Sequence, residues 1–287
     1  MRIYELLLLI TILFTVFYKA CRFYLKTLPD NIIYLCAVRM RNKIYFTSDF
    51  HLGSPNYEES RKRENRILRW LNAIEPSCAE LFLMGDIFDF WFEYQTVIPK
   101  GFVRLQGKLA AMTDAGIKVY FFKGNHDMWV NDYFTKELGI EIVSDELIIE
   151  RNGKRFFLHH GDGLGPGDKK YKLLRKIFRN PVCQWLFSLV PPRIGLGIAN
   201  GWSGHSRAAG AKEEVFEGVD REWLAIYAKE QLQKSHFDYF VFGHRHLPLD
   251  IELSQHSKYV NLGEWINYNS YAVFDGNELT LNYFEKN

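Results

Sequence analysis

The chain has 287 residues, of which 47% are hydrophobic and 24% charged, enough to bury one large core or two small ones and too apolar for a disordered or collagen-like protein. Its 36 Lys and Arg against 34 Asp and Glu leave a net charge of +2, which argues against a nucleic-acid footprint spread over the whole protein. Cys21, Cys36, Cys78 and Cys183 form neither a disulfide framework nor a CxxC pair for zinc, so a reducing compartment is expected.

Residues 6–18 are apolar apart from Thr11 and Thr15, but 13 residues fall short of the roughly 20 that a membrane-crossing helix needs. Glu5 before the run and Lys19-Ala20-Cys21-Arg22 after it also fit a secretory signal poorly. Met40-Arg41-Asn42-Lys43 leads directly into the first expected strand. Residues 1–39 therefore read as an extension upstream of a working start at Met40, or as a short membrane-associated helix. Beyond them, runs rich in β-branched and aromatic residues predict buried strands at 44–47, 81–84, 119–122, 156–158 and 239–242. Helical periodicity predicts helices at 61–74, 102–112 and 213–233, so residues 40–287 read as a layered α/β domain. Three further strands close the chain at 258–261, 271–274 and 279–283, the last two joined by a tight turn at Asp275-Gly276-Asn277. Residues 164–212 break this rhythm and read as a helical insertion.

Each of the five buried runs ends in a polar cluster: Asp49-Phe50-His51, Gly85-Asp86-Ile87-Phe88-Asp89, Gly124-Asn125-His126-Asp127, His160-Gly161-Asp162 and Gly243-His244-Arg245-His246. A single Asp-x-His can merely cap a turn, and Gly-Asn can be only a hairpin signal. Five of the nine histidines fall in such clusters, however, and independent accidents do not repeat in that way. Ligands of open α/β sheets collect beyond the carboxyl ends of the strands, where these clusters can converge. Carboxylate, imidazole and amide oxygen, without thiolate, suit Mn, Fe or Zn better than Ca.

These motifs resemble the calcineurin-like metallophosphoesterases, whose signature is D-x-H, GD-x-x-D, GNH[DE], a His-Gly pair and GH-x-H, all present here in order over about residues 43–264. The resemblance implies a four-layer αββα sandwich holding two divalent metal ions, usually Mn²⁺. One would take Asp49, His51, Asp86 and His246, and the other Asp86, Asn125, His160 and His244. It further implies that His126 stabilises charge or protonates the leaving oxygen, with Asp89 or Asp127 orienting its imidazole. His159 precedes a ligand on a strand and is expected to point to the opposite face as a structural residue.

Within that superfamily the text Tyr45-Phe46-x-Ser48-Asp49-x-His51-Leu52-Gly53, Gly85-Asp86-Ile87-Phe88-Asp89-Phe90-Trp91 and Asp168-x-x-Tyr171-x-x-x-Arg175 is similar to the UDP-2,3-diacylglucosamine hydrolases of lipid A synthesis. The resemblance implies attack at the α-phosphorus of a lipid-linked nucleotide, at the cytoplasmic side of the bacterial inner membrane. Asn125, His126, His244, Asp168, Tyr171, Arg175 and Arg207 are the expected substrate contacts. One departure is His126, where many of these hydrolases carry Arg.

Residues 169–212 hold nine Lys or Arg and no Asp or Glu. Leu173, Leu174, Ile177 and Phe178, then Trp185, Leu186, Leu189 and Val190, are spaced as apolar helix faces, with Lys172, Arg175, Lys176 and Arg179 at other positions of the first. That composition suits an interfacial element on an anionic membrane surface. The plainer alternative is a helical hairpin packed on its own domain. Two other functions compete with the lipid-nucleotide reading. A hydrolase of soluble phosphoesters predicts an insertion that does not bind lipid, and a non-catalytic scaffold predicts eroded ligands, whereas all seven are present. Neither nucleic acid nor an obligate protein partner is expected.

Overall fold

The computed structural model describes residues 41–166, 169–195, 197 and 215–285, so the proposed extension at 1–39, Asp168 and Arg207 lie outside the described residues. Asn42–Asn287 forms one compact unit. Its strands, in chain order, are β1 (Lys43–Thr47), β2 (Cys78–Leu83), β3 (Lys118–Phe122), β4 (Glu141–Val143), β5 (Leu147–Arg151), β6 (Lys154–His159), β7 (Tyr239–Phe242), β8 (Pro248–Ser254), β9 (Ser257–Leu262), β10 (Ser270–Phe274) and β11 (Leu279–Tyr283). They build one sheet of order β11-β10-β1-β2-β3-β4 and a second of order β5-β6-β7-β9-β8. β1 to β4 are mutually parallel, as are β6, β7 and β9, while the remaining pairings are antiparallel.

Alternation along each central strand explains the layering. Ile44, Phe46, Phe82, Tyr120 and Phe122 of the first sheet share one core with Phe156, Leu158, Tyr239, Val241 and Val260 of the second. Phe46 stacks on Phe82 at 5.0 Å and reaches across to Phe156 at 5.9 Å. The intervening residues Tyr45, Leu81, Leu83, Val119 and Phe121 face the opposite way. There they meet helices α1 (Tyr57–Ile74), α2 (Val103–Asp114) and α3 (Tyr133–Leu138). On the far side Phe157, Phe240 and Phe242 pack on Leu224, Ala225 and Ala228 of the C-terminal helix, Trp223–Leu232. The result is the four-layer αββα sandwich implied by the motifs.

Several boundaries differ from those expected. α1 starts at Tyr57 rather than residue 61, because the Asn56 side chain accepts the Glu59 amide and caps the helix early. The helix expected at 213–233 spans only Trp223–Leu232. Residues 215–222 are irregular, with Gly218 at φ +103°, a left-handed conformation that interrupts helical geometry. β4, β5, β8 and α3 went unrecognised. β5 and β8 are edge strands exposed on alternate residues, so they lack the continuous apolar run that marks a strand buried on both faces.

The insertion contains α4 (Lys169–Phe178) and α5 (Pro181–Ser188). Its expected apolar faces are split. Leu173, Ile177, Trp185, Leu186 and Leu189 are exposed, whereas Phe178 and Phe187 pack against Phe92, Met128 and Trp129 of the main domain. The expected basic face is also divided, because Arg175 and Arg179 both reach back to Asp145. These arginines serve as tethers to the domain, a correction to their reading as a lipid-facing surface. We number the C-terminal helix, Trp223–Leu232, α6.

Candidate metal centre

The carboxyl ends of β1, β2, β3, β6 and β7 deliver the five polar clusters to one place, three from the first sheet and two from the second. Their loops are bound to one another through the backbone. The Asp49 amide donates to Gly85 O at 3.0 Å, the His51 amide to Asp86 O at 2.9 Å, and the Gly243 amide to His160 O at 2.8 Å. Asp49, His51, Asp86, His244 and His246 all adopt positive φ, between 45° and 65°. Such conformations cost of order 1–3 kcal/mol each in a non-glycine residue and persist where surrounding structure over-determines them.

Two donor sets share Asp86. In the first, Asp49, His51, Asp86 and His246 bring one ligand atom each within 4.8 Å of one another. His51 Nε2 stands 3.0 Å from His246 Nε2, and Asp49 Oδ1 lies 3.1 Å from the latter. In the second, Asp86, His160 and His244 converge, with His160 Nε2 3.5 Å from Asp86 Oδ2 and 3.2 Å from Asn125 Oδ1. All seven expected ligands are thus brought together.

The residues fit divalent cations. His51 Nδ1 is buried without a hydrogen-bond partner, and two imidazole nitrogens facing each other at 3.0 Å suit a shared electrophile. His160 Nδ1 lies 2.8 Å from Met84 O; a carbonyl can only accept, so Nδ1 carries a proton and Nε2 is the nitrogen that faces the set. Burial opposes ionisation of Asp49, but hydrogen bonds from His246 and His51 hold its carboxyl well below the usual range. Burial alone would depress His160, yet the Asp86 carboxylate outweighs it and raises that imidazole to about 10. His244, buried and beside His160, falls to about 4. A field that raises an imidazole's proton affinity attracts any cation by the same Coulomb term.

The expected acid and its orienting groups occupy different roles. His126 stands edge-on to His51, ring centroids 4.9 Å apart, and its Nδ1 donates to the backbone carbonyl of Asp89 at 2.9 Å. The Asp89 carboxylate is 3.8 Å from His51 Nδ1 and 3.9 Å from His126 Nδ1, between the two rings. Asp127 orients no imidazole, which corrects its expected role. Its carboxylate accepts the amides of Asp86, Ile87, Phe88 and Gly124 at 2.8–3.3 Å, locking two ligand loops together. Burial and the neighbouring Asp86 push its pKa up to about 7. His159 accepts the Gly161 amide on Nδ1 at 2.7 Å and, largely through burial, falls to about 3, as suits a structural residue.

Of the expected substrate contacts in the insertion, Tyr171 and Arg175 are described, and both are held by a residue the motif reading left without a role. Buried Asp162 accepts the Tyr171 hydroxyl at 3.0 Å and pairs with Arg175 Nε at 2.6 Å. The Tyr171 ring nevertheless sits 6.2 Å from that of His244. Two arginines were also missed. Arg63 Nη2 donates to His51 O at 2.7 Å, and Arg245, between two ligands, forms a buried pair with Glu222 at 3.1 Å. Arg245 carried the only signal, its place inside Gly-His-x-His.

Gly124 shows how little room the site allows. A Cβ there would lie 2.2 Å from Asp86 Oδ1. Gly124→Ala is expected to displace that carboxylate and to weaken divalent-metal affinity about 10–100-fold, the size seen when a ligand's supports are disturbed. Calorimetric titration alongside thermal melting checks this, and unchanged affinity would mean that the loop relaxes.

The calcineurin-like phosphoesterase family profile matches residues 42–248. A protein of Porphyromonas gingivalis called UDP-2,3-diacylglucosamine hydrolase is 41% identical over 259 residues, covering 86% of this chain and 99% of that protein. One of Edwardsiella ictaluri with the same name is 30% identical over 71% of this chain and 75% of its own length. Among solved structures, the phosphoesterase Yfce from E. coli aligns with a TM-score of 0.43 and 17% identity, over 85% of this chain and 93% of that one. With its motifs converged on two donor sets and the family profile spanning both sheets, the chain belongs to the calcineurin-like phosphoesterases.

Proposed function

We propose that the chain hydrolyses the pyrophosphate of UDP-2,3-diacylglucosamine to UMP and 2,3-diacylglucosamine 1-phosphate, with two Mn²⁺ ions, at the cytoplasmic face of a bacterial inner membrane. The observation that carries this reading is the 41% identity to a hydrolase of that name across almost its whole length. Asp49, His51, Asp86 and His246 would hold one ion, and Asp86, Asn125, His160 and His244 the other. Bound divalent ions supply Lewis acidity toward a phosphoryl oxygen and acidify a water nucleophile.

The chain's own residues do the rest. Asp86 Oδ1 accepts the His126 amide at 2.9 Å, which couples the shared ligand to the loop carrying the acid. With Nδ1 committed to the Asp89 carbonyl, His126 in its imidazolium form presents Nε2–H and donates that proton to the departing phosphate oxygen. Asp89 steadies the positive ring. Asp127 keeps the two loops in register as charge shifts.

Leu173 and Ile177 on α4, Trp185 and Leu186 on α5, and Leu189 just past its end, all exposed, are the surface that meets acyl chains and lipid. Polar substitution of Trp185, Leu186 and Leu189 is expected to impair the diacylated substrate and spare a small chromogenic diester, since each buried methylene contributes about 0.8 kcal/mol. Because Arg175 is tied to the domain, attraction to anionic vesicles falls to exposed Lys176 and Arg193. Their reversal to Glu is expected to weaken vesicle binding by roughly 1 kcal/mol per charge at low salt.

The deciding assay compares UDP-2,3-diacylglucosamine, its deacylated form and p-nitrophenyl phosphodiesters, with Mn²⁺ added. Preference for the diacylated compound supports the proposal. Equal turnover of the deacylated form would transfer the assignment to soluble phosphoesters, a reading that His126 in place of Arg favours.

A further inference from the structure

The loops that carry the ligands also hold the insertion. Asp162, two residues beyond His160, is fully buried; one of its oxygens takes both Tyr171 and Arg175, and the other, Oδ1, is buried without a hydrogen-bond partner. Tyr171 and Arg175 stand four apart on α4, so a single side chain of the core grips one face of that helix. Arg175 and Arg179, again four apart, converge on Asp145 in the segment between β4 and β5, where the chain crosses from one sheet to the other. Arg179 also donates to Ser144 O at 3.0 Å. At the end of the helix, Trp129 Nε1 donates to Phe178 O at 2.7 Å, and Trp129 lies two residues beyond Asp127. The attachments of α4 thus come from the two ligand loops and the inter-sheet crossing. α5, in contrast, is seated through Phe187 on Phe92 and Trp129 while Val182, Trp185 and Leu186 remain exposed.

We propose that the pairing of Arg175 with buried Asp162 is the positioning element that seats α4 beside the metal centre, and that it thereby determines selectivity for substrates long enough to touch both. The pair acts through α4. Loss of the Asp162 charge leaves half-buried Arg175 with Asp145 alone, at 3.0 Å, which loosens the hold of the domain on the helix. Release carries Tyr171 away from His244, while His160 keeps its own bond to Met84 O. Selectivity for long substrates is therefore lost before the chemistry of small ones. This inference rests on the proposed reading of the insertion as the part that meets the acyl chains.

The test uses the full-length metal-loaded protein carrying Asp162→Asn, which keeps the shape and removes the charge. Amide hydrogen exchange across residues 169–179 is expected to accelerate about tenfold while the central strands stay protected. KM for UDP-2,3-diacylglucosamine is expected to rise about tenfold, with kcat for a p-nitrophenyl phosphodiester within about twofold and bound Mn²⁺ unchanged. Asp145→Asn, outside both donor sets, is expected to move exchange in the same direction by less. If Asp162→Asn lowers diester turnover and metal content in step with the lipid substrate, the residue serves the ligands and the proposal is overturned. Unchanged exchange in both variants also overturns it. The exchange measurement needs no substrate, so a wild-type protein inactive on the lipid refutes the proposed activity separately.

Discussion

Asp86→Ala is expected to abolish hydrolysis and release bound divalent metal. Asp86 is buried and its Oδ2 is the oxygen shared by both donor sets, 3.8 Å from His51 Nε2 and 3.5 Å from His160 Nε2. Without it both donor sets would lose the carboxylate they share, and the mutual repulsion of two cations held there would go uncompensated. Lewis-acid stabilisation worth several kcal/mol corresponds to a loss of at least about 10³-fold in turnover. The same oxygen pair also anchors the His126 amide, so Asp86→Asn, which keeps a hydrogen-bond acceptor, is expected to retain the loop better than Ala while still losing metal. Elemental analysis of the purified variants together with an initial-rate assay decides the matter. Near wild-type turnover with two metals retained would eliminate the dinuclear arrangement.

His126→Ala is expected to behave differently, because the side chain belongs to neither donor set. Metal content should remain that of the wild type, while the rate falls roughly 10²–10⁴-fold, the usual contribution of a positioned general acid. A leaving group that departs readily as an anion needs no proton, so the loss should shrink as the leaving-group pKa falls. A plot of log rate against leaving-group pKa, steeper for the variant than for the wild type, is the expected signature. Parallel plots would restrict His126 to electrostatics or positioning. Its contact with the Asp89 carbonyl involves only Nδ1, so His126→Gln can keep a polar contact but has no titrating proton to give, and is not expected to restore the rate.

Much of the site could be read locally. A parallel strand buried on both faces must be a continuous apolar run, and where it leaves the sheet the chain can turn polar again. The residues that follow 44–47, 81–84, 119–122, 156–158 and 239–242 therefore stood out as Asp, Asn and His; six of the seven expected ligands fall within two donor sets, and Asn125 lies 3.2 Å from His160 of the second. Glycine next to a ligand was legible for a similar reason, since Gly124 packs so closely on Asp86 that no side chain fits. The family resemblance added the pairing of ligands into two sets, which spacing alone does not contain.

Other features depend on partners distant in the chain. The five runs look alike, yet β1, β2 and β3 lie in one sheet and β6 and β7 in the other, because strand pairing is decided by which neighbours complete the ladder and by which faces meet across the inter-sheet core. Asp127 belongs to the same motif as Asn125, and only folding brings amides more than 35 residues away onto its carboxylate, making it a tie between loops rather than an orienting group. Arg175 and Arg179 look like a solvated basic face until Asp145, 30 and 34 residues earlier, arrives beside them. Local periodicity and composition determined which segments are strands and which residue types gather at their ends, because both follow from burial along a short stretch of chain. The tertiary structure decided how the clusters converge and which charges are spent on holding the insertion, because a charged side chain takes the partner that folding brings nearest.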